Sequence, residues 1–350
     1  MKYLSLLAIF VFLGIGCSAD IQEEPAELVT PIHEVPPTAT EPVKDVMAPS
    51  QGMAPPQVNQ MDITGGIYDH AVFFASSFDG EEWDIGETAI AMHASVPELL
   101  VLDQAVGNLP AGTAMSYFVD SSPLADGLDE AVSFVTSTDD GETWSERTQI
   151  ELDEEYLPVD PSVIQLADGR LRLHFFDFTS SREVDSNKDH IFYSAISDDG
   201  INFEIEGESL VSETLMTDPE VVFFDDEWFM YFAMHEGDNM GVWVATSDDG
   251  ITFGDPVKID GISGIPGATV VDGVVQLYGC DGGIVMTTSE NGIDFEELPE
   301  STVSDQIGPN GKPFLEGPSI FKSDKFFCDP SPAVFSDGSI GLVMKTIVEN

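Results

Sequence analysis

From Ala71 to Ile347 the chain alternates short apolar runs with clusters of Asp, Gly, Ser and Pro, the pattern of β-strands separated by tight turns. One repeated unit begins at an X-Pro step. Asp160-Pro161-Ser162-Val163-Ile164 leads through Asp168-Gly169 into Leu171-Arg172-Leu173-His174-Phe175. Asp218-Pro219-Glu220-Val221-Val222 turns at Asp225-Asp226 into Trp228 to Phe232, and Ile265-Pro266-Gly267-Ala268-Thr269 turns at Asp272-Gly273 into Val274 to Tyr278. Asp329-Pro330-Ser331-Pro332-Ala333 turns at Asp337-Gly338 into Ile340 to Met344, and Val96-Pro97-Glu98-Leu99-Leu100 is a weaker first member. A proline at the start of a strand removes no ladder bond that the strand needs.

A second repeat interleaves with the first. Ser137-Thr138-Asp139-Asp140-Gly141-Glu142-Thr143-Trp144 matches the Asp-box, S-x-D-x-G-x-T-W. Degenerate copies occupy Ile196 to Phe203, with Asp198 and Gly200, and Thr246 to Phe253, with Asp248 and Gly250. Thr288 to Phe295 carries Gly292, and Ser76 to Trp83 keeps Ser, Gly and Trp with Phe78 in the place of the Asp. In such a turn the Asp side chain accepts from nearby backbone N–H groups and Gly takes the positive φ, so these residues read as hairpin structure rather than catalysis.

Each unit therefore predicts strand 1 after X-Pro, strand 2, strand 3, the Asp-box turn and strand 4, which is a propeller blade. The last unit holds strands 1 and 2 after Pro330 and then the sequence stops at Asn350. Ala71 to Trp83 supplies the missing strand and turn. The expected fold is all-β: a five-bladed β-propeller of four-stranded antiparallel blades over 63–350, the ring closed by N-terminal strands that complete the C-terminal blade.

The first residues differ from all this. Lys2, the apolar run Leu4 to Ile15, and Leu13-Gly14-Ile15-Gly16-Cys17 form a secretory signal peptide over 1–17. The segment before Cys17 resembles the lipobox of bacterial lipoproteins, which implies lipidation at Cys17 and, with Ser18 following, anchoring in the outer membrane. Residues 18–62 hold eight prolines, no aromatic residue and eight acidic residues against Lys44, the composition of a disordered Pro-rich acidic tether. Of 64 acidic residues 56 fall in 63–350, within a formal net charge of −52. That field disfavours nucleic acid and anionic lipid as partners, leaving the membrane to the lipid anchor alone. It suits either a solvated surface adapted to salt or calcium sites; no metal ligands can be named and no cofactor is required.

The Asp-boxes resemble those of sialidases and other BNR-repeat proteins. The five-blade count and the Asp-Pro strand starts resemble the arabinanase, levansucrase and invertase superfamily, including glycoside hydrolase family 43. Sialidase chemistry needs three arginines from different blades, whereas this chain has Arg147, Arg170, Arg172 and Arg182, with Arg170 and Arg172 on one hairpin. A family 43-like glycosidase needs a base, a general acid and a tuning carboxylate at the channel mouth. The resemblance implies Asp160 as base, Asp218 as tuning residue and Glu316, in Leu315-Glu316-Gly317-Pro318, as acid. Asp329, Glu220, His235 and Glu236 are candidate substrate contacts. The expected function is a surface-tethered glycoside hydrolase acting on a neutral polysaccharide or oligosaccharide. The alternative is a non-catalytic propeller that binds a glycan or protein. Cys280 ends a strand 2 and Cys328 precedes a strand 1 in neighbouring units, so both fall on one face and a disulfide between them is expected.

Overall fold

A computed structural model describes residues 66–179, 189–236, 239–280, 283–296, 298, 302–307, 313–316, 320 and 326–348. Cys17 and the 18–62 segment lie outside the described residues.

Five antiparallel sheets are arranged as propeller blades. Blade 1 is β4 (Ala94–Val101), β5 (Ala114–Asp120), β6 (Ala131–Ser137) and β7 (Thr148–Gln149). Blade 2 is β8 (Pro158–Gln165), β9 (Leu171–Asp177), β10 (His190–Ser197) and β11 (Glu204–Ser212). Blade 3 is β12 (Met216–Phe224), β13 (Glu227–Glu236), β14 (Asn239–Ser247) and β15 (Val257–Ser263). Blade 4 has three strands among the described residues: β16 (Gly267–Val271), β17 (Val274–Cys280) and β18 (Ile284–Ser289). A separate hairpin, β19 (Thr302–Ile307) with β20 (Pro313–Glu316), follows it.

Blade 5 is built from both ends of the domain. Its inner strands β21 (Cys328–Val334) and β22 (Ile340–Ile347) pair with each other, and β22 pairs with β1 (His70–Ser77), which pairs with β2 (Asp84–Ile85) and also β3 (Ala91–Met92). The β1–β22 ladder runs unbroken from His70↔Ile347 to Ser77↔Ile340. Closure by N-terminal strands thus leaves blade 5 no open inner edge.

Apolar side chains of adjacent blades fill the gaps between sheets. Tyr117, Phe134, Leu171, Phe175 and Phe203 form the layer between blades 1 and 2, and Tyr231, Val244, Val275 and Leu277 the layer between blades 3 and 4. Each such buried side chain contributes about 1.5–3 kcal/mol. Polar pins cross the same gaps: Tyr117 donates to the Gly200 carbonyl at 3.0 Å, Arg172 to the Asp249 carbonyl at 3.1 Å, and Tyr231 to the Gly292 carbonyl at 2.8 Å.

The Asp-box turns form the expected hairpins, with one correction. In the second and third copies the turn is a residue shorter, and the pivots are Asp199 and Asp249 rather than Asp198 and Asp248. Asp199 Oδ1 accepts from the N–H of Ile201 and Asn202 at 2.9 and 2.8 Å, and Asp249 Oδ1 does the same for Ile251 and Thr252. The N-terminal copy has its acid after all, since Asp79 Oδ1 accepts from Glu81 and Glu82. Asp139 serves in the full-length copy, and Asn291 in the fourth. Gly141, Gly200, Gly250 and Gly292 all take positive φ.

A belt of hydrogen bonds closes the ring around the axis. At the second residue after each X of X-Pro stand Glu98, Ser162, Glu220, Gly267 and Ser331. Glu98 accepts from the Val163 N–H of blade 2 (3.2 Å), Ser162 from Val221 of blade 3 (3.0 Å), Glu220 from Ala268 of blade 4 (2.9 Å) and Ser331 from Leu99 of blade 1 (2.8 Å). The fifth position needs no side chain. A Cβ on Gly267 would stand 1.8 Å from the Pro330 carbonyl oxygen, so blades 4 and 5 meet backbone to backbone there. The Cys280–Cys328 disulfide joins the same two blades, with Cα atoms 5.4 Å apart.

Candidate functional site at the channel mouth

Every inner strand but that of blade 4 kinks at its X-Pro step. Val96, Asp160, Asp218 and Asp329 take φ values of 45°, 52°, 54° and 50°, and the ladder register slips at each of them. Aspartate tolerates the left-handed region better than most residues, which accounts for part of the choice. Asn or Gly would satisfy the backbone equally without a charge, so three carboxyls largely withdrawn from water need a further reason.

These three carboxyls converge at one mouth. Asp218 and Asp329 are buried, and Asp160 is half-buried. Asp160 Oδ2 accepts from the Asp218 N–H at 3.4 Å. Lys345, from β22, lies 2.6 Å from Asp329 Oδ2. Burial pulls its ammonium toward lower pKa, but the carboxylates of Asp329, Asp218 and Asp160 outweigh this and raise it, keeping Lys345 charged.

The dyad of Asp160 and Asp218 behaves differently from the ion pair. Burial lifts Asp218 to about 7, aided by the charge of Asp329 and opposed by the Thr217 side chain and Lys345. Burial also drives Asp160 well above the usual carboxylate range, and the neighbouring Asp218 charge adds to it. Two adjacent carboxyls out of water share protons rather than ionise together. His70, on β1, is held down to about 4 by burial and then by Lys345, so it is neutral at physiological pH; its Nδ1 is 2.9 Å from the Ser95 hydroxyl.

The other sequence candidates fall elsewhere. Glu220 lies on the far side of the proline ring, where it accepts from the Ala268 N–H and lines a cavity with Glu98. His235 is half-buried near the end of β13, and the Glu236 side chain lies outside the described residues. Glu316 ends β20, which among the described residues pairs with β19 alone and not as the inner strand of a blade; its side chain also lies outside the described residues. Sequence reasoning missed Lys345 and His70. The available signal was one lysine as the only charged residue of the largely apolar β22, since buried lysines are rare unless paired. No group of three or more His, Cys, Asp or Glu suited to a metal ion occurs among the described residues.

The fold has solved neighbours. An α-L-arabinanase of Penicillium chrysogenum complexed with arabinobiose superposes with a TM-score of 0.51 at 14% identity, over 80% of this chain and 86% of the other. A Dyadobacter fermentans protein of unknown function gives 0.50 at 17% identity, over 79% and 84%. An α-L-arabinofuranosidase of Fusarium graminearum complexed with an iminosugar inhibitor gives 0.50 at 13%, over 79% and 84%. No protein-family model and no curated protein matches the sequence. The chain is a five-bladed β-propeller whose neighbours in fold include an arabinanase and an arabinofuranosidase.

Proposed function

We propose that this chain is a lipid-anchored, exported glycoside hydrolase that cleaves a neutral glycan at the mouth formed by Asp160, Asp218 and Asp329. The observation that carries the reading is the convergence of three carboxyls from three blades around one lysine. Glycosidic cleavage needs a protonated carboxyl beside an ionised one. The Asp160–Asp218 dyad offers that combination near neutrality, and the roles belong to the pair rather than to either member. The elevated Asp160 carboxyl favours proton donation over the base role that the family resemblance implies. Asp329, clamped by Lys345, takes the tuning role, and Glu316 stays a candidate fourth carboxyl. Only Asp160 of the three is open enough to meet a leaving oxygen.

The arabinanase neighbour, complexed with arabinobiose, makes arabino-oligosaccharides the first substrates to test. A neutral glycan also suits a domain whose strong negative charge repels polyanions. The purified chain is assayed for new reducing ends on arabino-oligosaccharides, arabinan, xylan, fructan and galactan. Release from at least one is expected, abolished in Asp160→Asn with the melting temperature retained. The deep burial of Asp218 and Asp329 favours a second reading, a glycan-binding propeller without turnover. Binding without release across the whole panel would establish it instead.

A further inference from the structure

Two carboxyl pairs stand on the propeller axis, on opposite sides of the ring of prolines. On the mouth side are Asp218 and Asp329. On the far side Glu98 and Glu220 line the same cavity, burial raises both carboxyls and the Glu98 charge raises Glu220 further, so the pair holds a proton between them near neutrality, and Glu98 Oε2 also accepts from the Ser331 hydroxyl at 2.7 Å. Asp218, Asp329, Glu98, Glu220 and Ser331, together with the prolines, line a cavity of about 10 Å³. That is about the smallest space that holds a water, and a water needs two to four polar partners, which this lining provides.

Asp329 gives an independent pointer to an occupant. Its Oδ2 is ion-paired with Lys345, but Oδ1 has no hydrogen-bond partner among the described residues, although the residue is only 2% exposed. A buried carboxylate oxygen left bare is costly, and one water donor removes that cost.

We propose that one water in this cavity joins the Glu98–Glu220 pair to Asp218 and Asp329 in a single proton-sharing network. Glu98 and Glu220 are then positioning residues for the mouth acids. When a proton leaves the inner carboxyl it adds to the water, which passes one of its own to the Asp218 carboxylate. The inner pair gains one negative charge, the mouth loses one, and nothing is oxidised or reduced. Beyond the inner pair lies a wider cavity of about 410 Å³, lined by Glu98, Glu220, Leu100, Gln165 and Phe223 among others. Protons can therefore re-enter the network from the face opposite the substrate. The charged and titratable groups that face the network are Asp160 on β8, Lys345 on β22 and His70 on β1, with Asp69 beside His70.

The consequence for turnover rests on the glycosidase reading; the network itself does not, and its test uses no substrate. The full chain is labelled with ¹³C at the Asp side-chain carboxyls and titrated by infrared spectroscopy. The mouth acids are identified as the Asp carboxyls still protonated above about pH 6, where ordinary aspartates are ionised. In E98Q/E220Q their midpoint is expected to fall by about half a pH unit or more, because the far-side charge that appears at higher pH is gone. Ser162→Ala cuts the same interblade belt without touching a proton and should leave the midpoint in place. A midpoint unchanged in E98Q/E220Q, or moved equally by Ser162→Ala, overturns the proposal. If the double variant fails to fold, Glu98→Gln, which keeps an acceptor for Val163, carries the same expectation. A crystal structure with no water within reach of Asp329 Oδ1 also overturns it.

Discussion

Gly267→Ala tests the ring closure at its tightest point. An alanine Cβ would sit 1.8 Å from the Pro330 carbonyl oxygen, 2.8 Å from the Pro330 carbonyl carbon and 3.3 Å from Pro332 Cδ. Contacts below 3.0 Å are essentially never seen for a Cβ, so the carbonyl must retreat by about 1.2 Å. The first two obstacles are backbone atoms and cannot rotate away. The disulfide and the neighbouring belt bonds resist a shift of blade 4 against blade 5. Inserting a methyl group into a tight site costs about 1–3 kcal/mol, and a clash against backbone belongs at the upper end. For a domain of this size each kcal/mol lowers the melting temperature by about 2–4 °C, giving an expected fall of about 6–12 °C. Gly254→Ala is the matched control, with its nearest obstacle, the Thr246 carbonyl, at an ordinary 3.6 Å. Thermal unfolding followed by circular dichroism reads both. A Gly267→Ala protein that melts within about 2 °C of the parent would refute direct backbone contact between the two blades.

Four further outcomes are expected. Stability should fall as pH rises from about 7 to 8.5: His70 and His174, lowered to about 4 and about 3 by burial, are neutral in the folded chain throughout, whereas Asp218 and Glu98, lifted to about 7 chiefly by burial, still lose protons that the unfolded chain has already released. A melting curve that stays flat across this range would contradict the buried protonated carboxyls. Reducing the Cys280–Cys328 bond, with 47 residues between its ends, should remove on the order of 4 kcal/mol in the entropic model; unchanged denaturant unfolding with dithiothreitol argues against a native bridge. Asp199→Ala should lower the melting temperature clearly more than Asp198→Ala, because Asp199 alone bonds the turn N–H groups; equal effects would restore the original motif alignment. Cys17→Ser should release the chain from the membrane fraction, and retention there would rule out the lipid anchor.

Much of the architecture was legible in the sequence because repetition makes a weak strand signal strong. Five X-Pro starts and five turn motifs fix the blade count, and the missing strand after Met344 asks for a partner that only Ala71 to Trp83 can supply. The same repeats placed Asp160, Asp218 and Asp329 at one mouth, since equivalent positions of a ring share a radius and a height. The motif pivots slipped by one residue because Ser-Asp-Asp-Gly offers two acids and only the hydrogen bonds distinguish them. Lys345 and His70 were hidden for a different reason. Each stands alone in its strand, outside both repeats, and they reach the site only because blade 5 pairs the two ends of the domain. Glu220 was placed at the substrate face by its spacing from Asp218, but the register slip at Asp218-Pro219 turns it to the far side, where it serves the belt.

The central claim, that the Asp160–Asp218 dyad breaks glycosidic bonds, is tested most directly by the pH dependence of arabino-oligosaccharide hydrolysis. The account expects reducing-end release that increases as pH rises through about 7, where Asp218 ionises while the more strongly raised Asp160 keeps its proton, and release abolished in Asp160→Asn while Asp168→Asn, a change at an exposed turn, retains it. Release that persists in Asp160→Asn with the parent pH profile would contradict it.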